Sequence, residues 1–206
     1  MYSQRCEEQV ITDYFKDYKG TLLDCGANNG IIFSNSRALV EKGWSAALVE
    51  PCSITFTELM INNAHYKNTW CRNVAIGTFN GHADFYESGS LINGHDYSLV
   101  STLKVSETQR WKTVKEPGQT VVDYKKTKVH VVDWKTFLRS SPYKQFDFIT
   151  IDIEGMELEV LRQMDIKELG CKLICIEYSG RDQEDFDQLI PMPVIYKNRT
   201  NIIYGK

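Results

Sequence analysis

Thr21-Leu-Leu-Asp-Cys-Gly-Ala-Asn-Asn-Gly30 is the stretch that decides the reading of this 206-residue chain. Residues 21–24 have the pattern of a buried strand, the turn after them carries glycines at 26 and 30, and an apolar helical pattern follows to residue 42. A glycine-bearing turn between strand and helix lets a ligand approach the main chain closely, and a helix start leaves N–H groups free to meet it. A second stretch, Phe148-Ile-Thr-Ile-Asp-Ile-Glu-Gly155, ends another strand with two carboxylates, Asp152 and Glu154.

Working outward, residues 5–18 place Val10, Tyr14 and Phe15 on one helical face, and Gly20 closes that helix. A strand is expected over 44–50 and ends at Pro51; Ser53 then caps a helix to about residue 63. Strands follow over 69–76 and 82–87. Residues 88–128 are polar and lack periodicity, with Gly89, Gly94 and Pro117-Gly118 as breakers, which suggests a functional loop or lid. Order resumes with strands over 129–132, 146–152 and 173–178 and helices near 134–139, 155–164 and 182–189. A terminal hairpin of 194–197 and 201–204 closes the chain. The alternation predicts an α/β sandwich with a mainly parallel sheet and a C-terminal antiparallel hairpin strand. It forms one domain over 1–206, with 88–128 as a substrate-side insertion. Ligands of such sheets sit beyond the carboxyl ends of the strands, where both quoted motifs fall.

Hydrophobic content of 42%, charged content of 25% and a net charge of −3 are ordinary for a globular domain and give no overall pull towards nucleic acid. No apolar run approaches the roughly 18 residues of a membrane span. The polar start is not expected to be a secretory signal. Six scattered cysteines without zinc spacing fit a reducing, cytoplasmic setting. Oligomeric state is not written in the sequence.

The turn departs from the dinucleotide pattern G-x-G-x-x-G, because Asn28 stands where the middle glycine would let a pyrophosphate touch the backbone. Asp24 adds a negative charge beside it. A cofactor with a cationic amino-acid end suits this turn better, and S-adenosylmethionine has one. Glu50, ending the second strand, stands at the distance usual for an acid that binds ribose hydroxyls. Asn73, with the Val74 backbone and Ala75 beside it, ends the third strand where an adenine ring would lie. The expected cofactor set is therefore Asp24, Gly26, Ala27, Asn28, Asn29, Gly30, Glu50, Pro51, Asn73, Val74, Ala75 and Asp152.

Leu-Asp-Cys-Gly-Ala-Asn-Asn-Gly, followed by Val-Glu-Pro, Asn-Val-Ala-Ile-Gly and Ile-Asp-Ile-Glu-Gly-Met-Glu, resembles the FkbM family of S-adenosylmethionine-dependent O-methyltransferases. The resemblance runs from about Gly20 to the final strands and is weakest over 88–128. It implies a Rossmann-like class I methyltransferase fold, S-adenosylmethionine as donor, and a hydroxyl acceptor on a sugar, glycan or other small metabolite. Thr150 departs from the family, which often carries lysine there, so no role of that lysine is carried over.

Methyl transfer to an alcohol needs alignment and a base. Asp152 is the first choice for that base and Glu154 the alternative; His95, beside Asp96, is a third. Asp152, Glu154 and Glu177 would also suit a divalent cation. Glu157 and Glu159 are expected on a solvated helix face, and His65, His82 and His130 as structural residues. Asp96, Tyr97, Ser98, Ser101 and Trp111 form the expected acceptor set. The lysines and arginines of 88–128 are diluted by Glu107, Glu116 and Asp123, so a nucleic-acid partner is not expected. The rival readings are an RNA-modifying methyltransferase, a nucleotide-binding module without catalysis and, disfavoured by Asn28, an NAD-dependent oxidoreductase.

Overall fold

Leu22 and Leu23 are neighbours in the chain but belong to different cores, one on each face of the same sheet. The computed structural model describes residues 1–89, 98–113 and 122–206. In chain order they form α1 (Glu7–Phe15), β1 (Thr21–Cys25), α2 (Arg37–Glu41), β2 (Ser45–Val49), α3 (Ser53–Asn63) and β3 (Thr69–Arg72). Next come β4 (Ala75–Gly77), β5 (Gly81–Ser88), α4 (Val105–Thr113), β6 (Tyr124–Asp133) and α5 (Trp134–Ser140). The last elements are β7 (Phe148–Ile151), α6 (Glu157–Leu161), β8 (Leu173–Glu177), α7 (Gln183–Asp187), β9 (Val194–Lys197) and β10 (Asn201–Gly205).

The main sheet runs β3-β2-β1-β7-β8-β10-β9. Its first five strands are parallel, and β10 is antiparallel to both neighbours. Successive side chains of a strand point to opposite faces. Leu22, Phe148 and Leu173 therefore pack with Ile11, Phe15, Leu39 and Leu59 of α1, α2 and α3. Leu23, Ile149 and Ile174 pack with Phe137, Val160, Leu161 and Phe186 of α5, α6 and α7. Covering both faces is what makes these strands read as unbroken apolar runs. Each fully buried Leu, Ile or Phe contributes about 1.5–3 kcal/mol. A smaller sheet, β4-β6-β5, stands apart. The fold is the expected Rossmann-like sandwich with an antiparallel terminal strand.

Strand order turns back between β1 and β7, so the carboxyl ends of these two neighbours flank the crevice where such sheets take their ligands.

Several expected elements are corrected. The helix expected over 30–42 is only Arg37–Glu41. Before it, Asn29 Oδ1 accepts the N–H groups of Ile31 and Ile32, Phe33 has φ 53°, and Ser34 Oγ accepts the N–H of Arg37. Side-chain acceptors thus take donors that a helix would need elsewhere. The strand expected over 69–76 is two strands in different sheets, broken at Asn73-Val74. The aperiodic segment 88–128 contains α4 and the first part of β6. The helix at 155–164 is only Glu157–Leu161, and α3 is preceded by Cys52 with no side-chain cap from Ser53. His65, His82 and His130 are exposed rather than built into the core.

Candidate active site

Gly26 has φ +86°, and a Cβ there would lie 1.7 Å from the carbonyl oxygen of Asp152. Only glycine lets β1 turn so tightly beside β7. The N–H groups of Gly26 and Ala27 both donate to Val49 O at 2.9 Å, which ties the turn to the end of β2. Asn28 follows with φ 48°, a left-handed conformation that asparagine tolerates well. Its N–H donates to Glu50 Oε2 at 3.0 Å, while Cys52 N–H donates to Glu50 Oε1 at 2.8 Å.

Glu50 is buried, and that burial pushes its carboxyl up from 4.5 to about 7 against the lowering effect of its two backbone donors. Asp24 is buried too; desolvation raises it to about 6, and Ser36 Oγ donates to it at 2.5 Å.

A cleft opens over these groups. Asp24, Gly26, Ala27, Asn28, Glu50 and Pro51 form its floor on the β1 and β2 side, and Val74 and Ala75 line its far wall. Three members of the expected set sit elsewhere. Asn29 donates from Nδ2 to Glu58, Gly30 packs against Leu59 and Asn63, and Asn73 Nδ2 donates to Glu50 O and Pro51 O. These residues shape the cleft from behind.

Past the end of β7 the chain makes a second sharp turn, with Glu154 at φ 53° and Gly155 at φ +113°. The turn brings oxygens of Asp152, Glu154 and Glu177 within 4.8 Å of one another. Glu154 and Glu177 are buried, and Asp152 is the most open of the three. Desolvation raises all three well above the usual carboxylate range; mutual repulsion adds to it. Asp152 and Glu177 are close enough to share a proton, which would ease that repulsion. Glu177 also accepts from Ser179 Oγ, yet its buried Oε2 has no hydrogen-bond partner.

Asp152 and Glu154 line the first cleft and also a second cleft on the other side of the acids. Trp111 lines this second cleft and fixes Glu154 by donating from Nε1 to Oε2 at 3.2 Å. Thr102 Oγ1 braces the same turn by donating to Glu154 O at 2.7 Å. Ser98 and Ser101, expected with the acceptor, line the first cleft instead. His95, Asp96 and Tyr97 lie outside the described residues.

Sequence reasoning misplaced Glu157. It is fully buried, not part of a solvated face: its carboxylate accepts the N–H groups of Ile153 and Gly155 and an Arg181 guanidinium N–H. Glu159 is partly shielded by Lys104 at 2.5 Å. Nothing in the spacing separates Glu157 from Glu159; only the backward turn at 154–155 does. Phe33 and Asn35, which line both clefts, were missed, because the helix expected there would have turned them elsewhere.

Residues 24–198 match the family model of the methyltransferase FkbM domain. The chain belongs to the FkbM methyltransferase family. An FkbM domain is that of an S-adenosylmethionine-dependent methyltransferase. Methyltransferase FkbM from Methylobacillus flagellatus KT is similar over 92% of this chain and 44% of its own, with 14% identity and a TM-score of 0.50. A ribosomal protein L11 methylase from Lactobacillus delbrueckii subsp. bulgaricus is similar over 97% of this chain and 77% of its own, at 12% identity and a TM-score of 0.49. The putative methyltransferase yhhF from Escherichia coli is similar over 99% of this chain and 88% of its own, at 12% identity and a TM-score of 0.49. This FkbM domain thus spans under half the length of the FkbM structure it matches. No curated protein sequence matches it. No helix among the described residues is long and apolar enough to cross a membrane.

The floor of the first cleft fits S-adenosylmethionine. Each Glu50 oxygen has spent one lone pair on a backbone N–H and keeps another for a ribose hydroxyl.

Proposed function

We propose that this domain moves a methyl group from S-adenosylmethionine to a hydroxyl, most simply that of a sugar or glycan, with Asp152 or Glu154 as general base. The reading is carried by one observation: Asp152 and Glu154 line both clefts, so they stand where a donor in the first meets an acceptor in the second.

Bound there, S-adenosylmethionine supplies an electrophilic sulfonium methyl. The chain supplies the rest. Glu50 accepts from the ribose hydroxyls, Asp24 faces the ammonium, the main chain of Gly26, Ala27 and Asn28 lies against the amino-acid end, and Val74 and Ala75 border the adenine. Asp152 takes the proton from the attacking hydroxyl, or Glu154 does. A carboxylate that burial has made more basic is a stronger proton acceptor, and more of it is ionised as pH rises. Trp111, its indole held by Glu154, offers an apolar face for a sugar ring.

A cation-assisted version has its own support in the unpartnered Glu177 Oε2 and the convergence of three carboxylates within 4.8 Å. Asp152, Glu154 and Glu177 would hold a divalent cation with oxygen ligands, and its charge would offset their repulsion and favour an ionised acceptor. The six free cysteines favour a reducing, cytoplasmic setting.

The test is transfer of labelled methyl from S-adenosylmethionine across free sugars, nucleotide sugars, glycans and short RNAs. Label in an alkali-stable sugar ether is the expected result. Label confined to RNA would overturn the sugar assignment.

A further inference from the structure

The second cleft is acidic at its floor and cationic at its mouth. Asp152, Glu154 and Glu177 lie inside, and Arg5 and Arg199 line the opening. Both arginines are exposed, and among the described residues neither forms an ion pair. Arg110, in the same cleft, is already committed: Nη1 pairs with Glu107 at 3.2 Å and Nη2 donates to Ser179 O at 3.0 Å.

Arg5 and Arg199 are brought together from opposite ends of the sequence by one buried acid. Glu7, the first residue of α1, has no exposed surface. Its Oε1 accepts from Asn198 Nδ2 at 2.6 Å and from Asn201 Nδ2 at 2.9 Å, the residues that bracket Arg199 in the β9–β10 turn. Its Oε2 accepts the main-chain N–H of Arg5 at 2.9 Å. A fully buried carboxylate is costly unless its lone pairs are filled. Here all the filling groups belong to the two segments that carry the arginines. The clamp holds two guanidinium-bearing segments at one opening.

We propose that the acceptor carries an anionic group, carboxylate or phosphate, which Arg5 and Arg199 hold at the mouth of the cleft. A neutral sugar gains nothing from the gradient between mouth and floor. A small hydroxylated anion is oriented by it: the charge stays at the arginines, away from the acids, and the far hydroxyl points inward to Asp152 and Glu154. Guanidinium groups suit both anions, because their N–H donors pair with two oxygens at once. The inference relies on the O-methyl transfer reading for what happens at the floor, while anion binding at the mouth stands independently of it.

The test is equilibrium binding of glucuronate, glucose 6-phosphate and glucose to the protein loaded with S-adenosylhomocysteine, with calorimetry as the readout. At least one anion is expected to bind about tenfold more tightly than glucose, with the preference shrinking as salt screens the exposed arginines. A preference for glucuronate identifies a carboxylate, and one for glucose 6-phosphate a phosphate. The Arg5→Ala/Arg199→Ala double variant should lose the preference and keep its affinity for S-adenosylhomocysteine, which also reports that it is folded. Glucose binding as tightly as both anions, or an undiminished preference in the double variant, overturns the inference. Intact anion preference in a protein that methylates no hydroxyl would leave this inference standing and sink the transfer reading.

Discussion

A side chain on Gly26 would collide with the Asp152 carbonyl, 1.7 Å from its Cβ, so the cofactor turn and the start of the acid cluster are pressed into one unit. Asp152 N–H donates to Cys25 O at 3.0 Å, one residue before the glycine. Gly26→Ala should therefore damage both halves of the site together. The φ of +86° alone costs an alanine about 1–3 kcal/mol, and the collision adds to it. A lowered Tm with lost S-adenosylmethionine binding is expected; a variant that melts and binds as the parent does would separate the two halves.

Glu50→Ala should weaken S-adenosylmethionine by roughly 10- to 100-fold, the equivalent of about one charge-assisted hydrogen bond. Because burial lifts Glu50 to about 7, donor affinity in the parent should also rise with pH through that value as the carboxylate ionises. Calorimetry over that range checks both, and a flat profile removes Glu50 from the ribose.

Asp152→Asn should abolish transfer and leave donor affinity within a few fold. Glu154→Gln should lower kcat less if Asp152 is the base and equally if the pair works as a unit. Parent kcat should climb with pH beyond the ordinary carboxylate range, since burial holds both carboxyls well above it. Full turnover in Asp152→Asn would move the base to Glu154.

Asp24 and Glu50 bind protons more readily folded than unfolded, so their protonated forms favour the folded state. That contribution is complete below 3.8 and 4.5 and is lost as pH rises through about 6 and about 7. At most about 3 kcal/mol is at stake for each. The ligand-free protein should melt progressively lower from about pH 5 to about pH 7.5, and Glu50→Gln should flatten the fall. A Tm that rises across this window contradicts the assignment.

Chelation separates the two versions of the acid cluster. Loss of transfer in EDTA, restored by magnesium or manganese and absent in Glu177→Gln, is the cation-assisted outcome. Full activity in EDTA leaves a proton shared between Asp152 and Glu177 as what relieves the repulsion.

Much of this was legible before any coordinates, and the reasons are local. The buried strands β1, β7 and β8 are short apolar runs with clear ends, and the hairpin of β9 and β10 is marked by Asn198-Arg199-Thr200. Asp24, Glu50 and Asp152 stood out because acids at the ends of apolar strands have few structural uses. What escaped depends on side-chain hydrogen bonds that periodicity does not encode. Asn29 and Ser34 delay α2 by taking backbone donors, and Asn73 breaks a strand by reaching back to Glu50 and Pro51. Glu157 looked like any exposed acid of a helix's first turn until the left-handed Glu154 turned it inward. Glu7 gave no signal at all, since both of its side-chain partners lie far off, 191 and 194 positions away.

That separation bears on how the domain is assembled. Pairings between distant parts of a chain close the largest loops and tend to form last. The turn at Gly26 is held by the adjoining strands β1, β2 and β7, whereas the mouth of the second cleft also needs α1 to meet the β9–β10 hairpin. A lesion at Glu7 would thus leave a protein that loads its methyl donor normally and has nowhere orderly to deliver it.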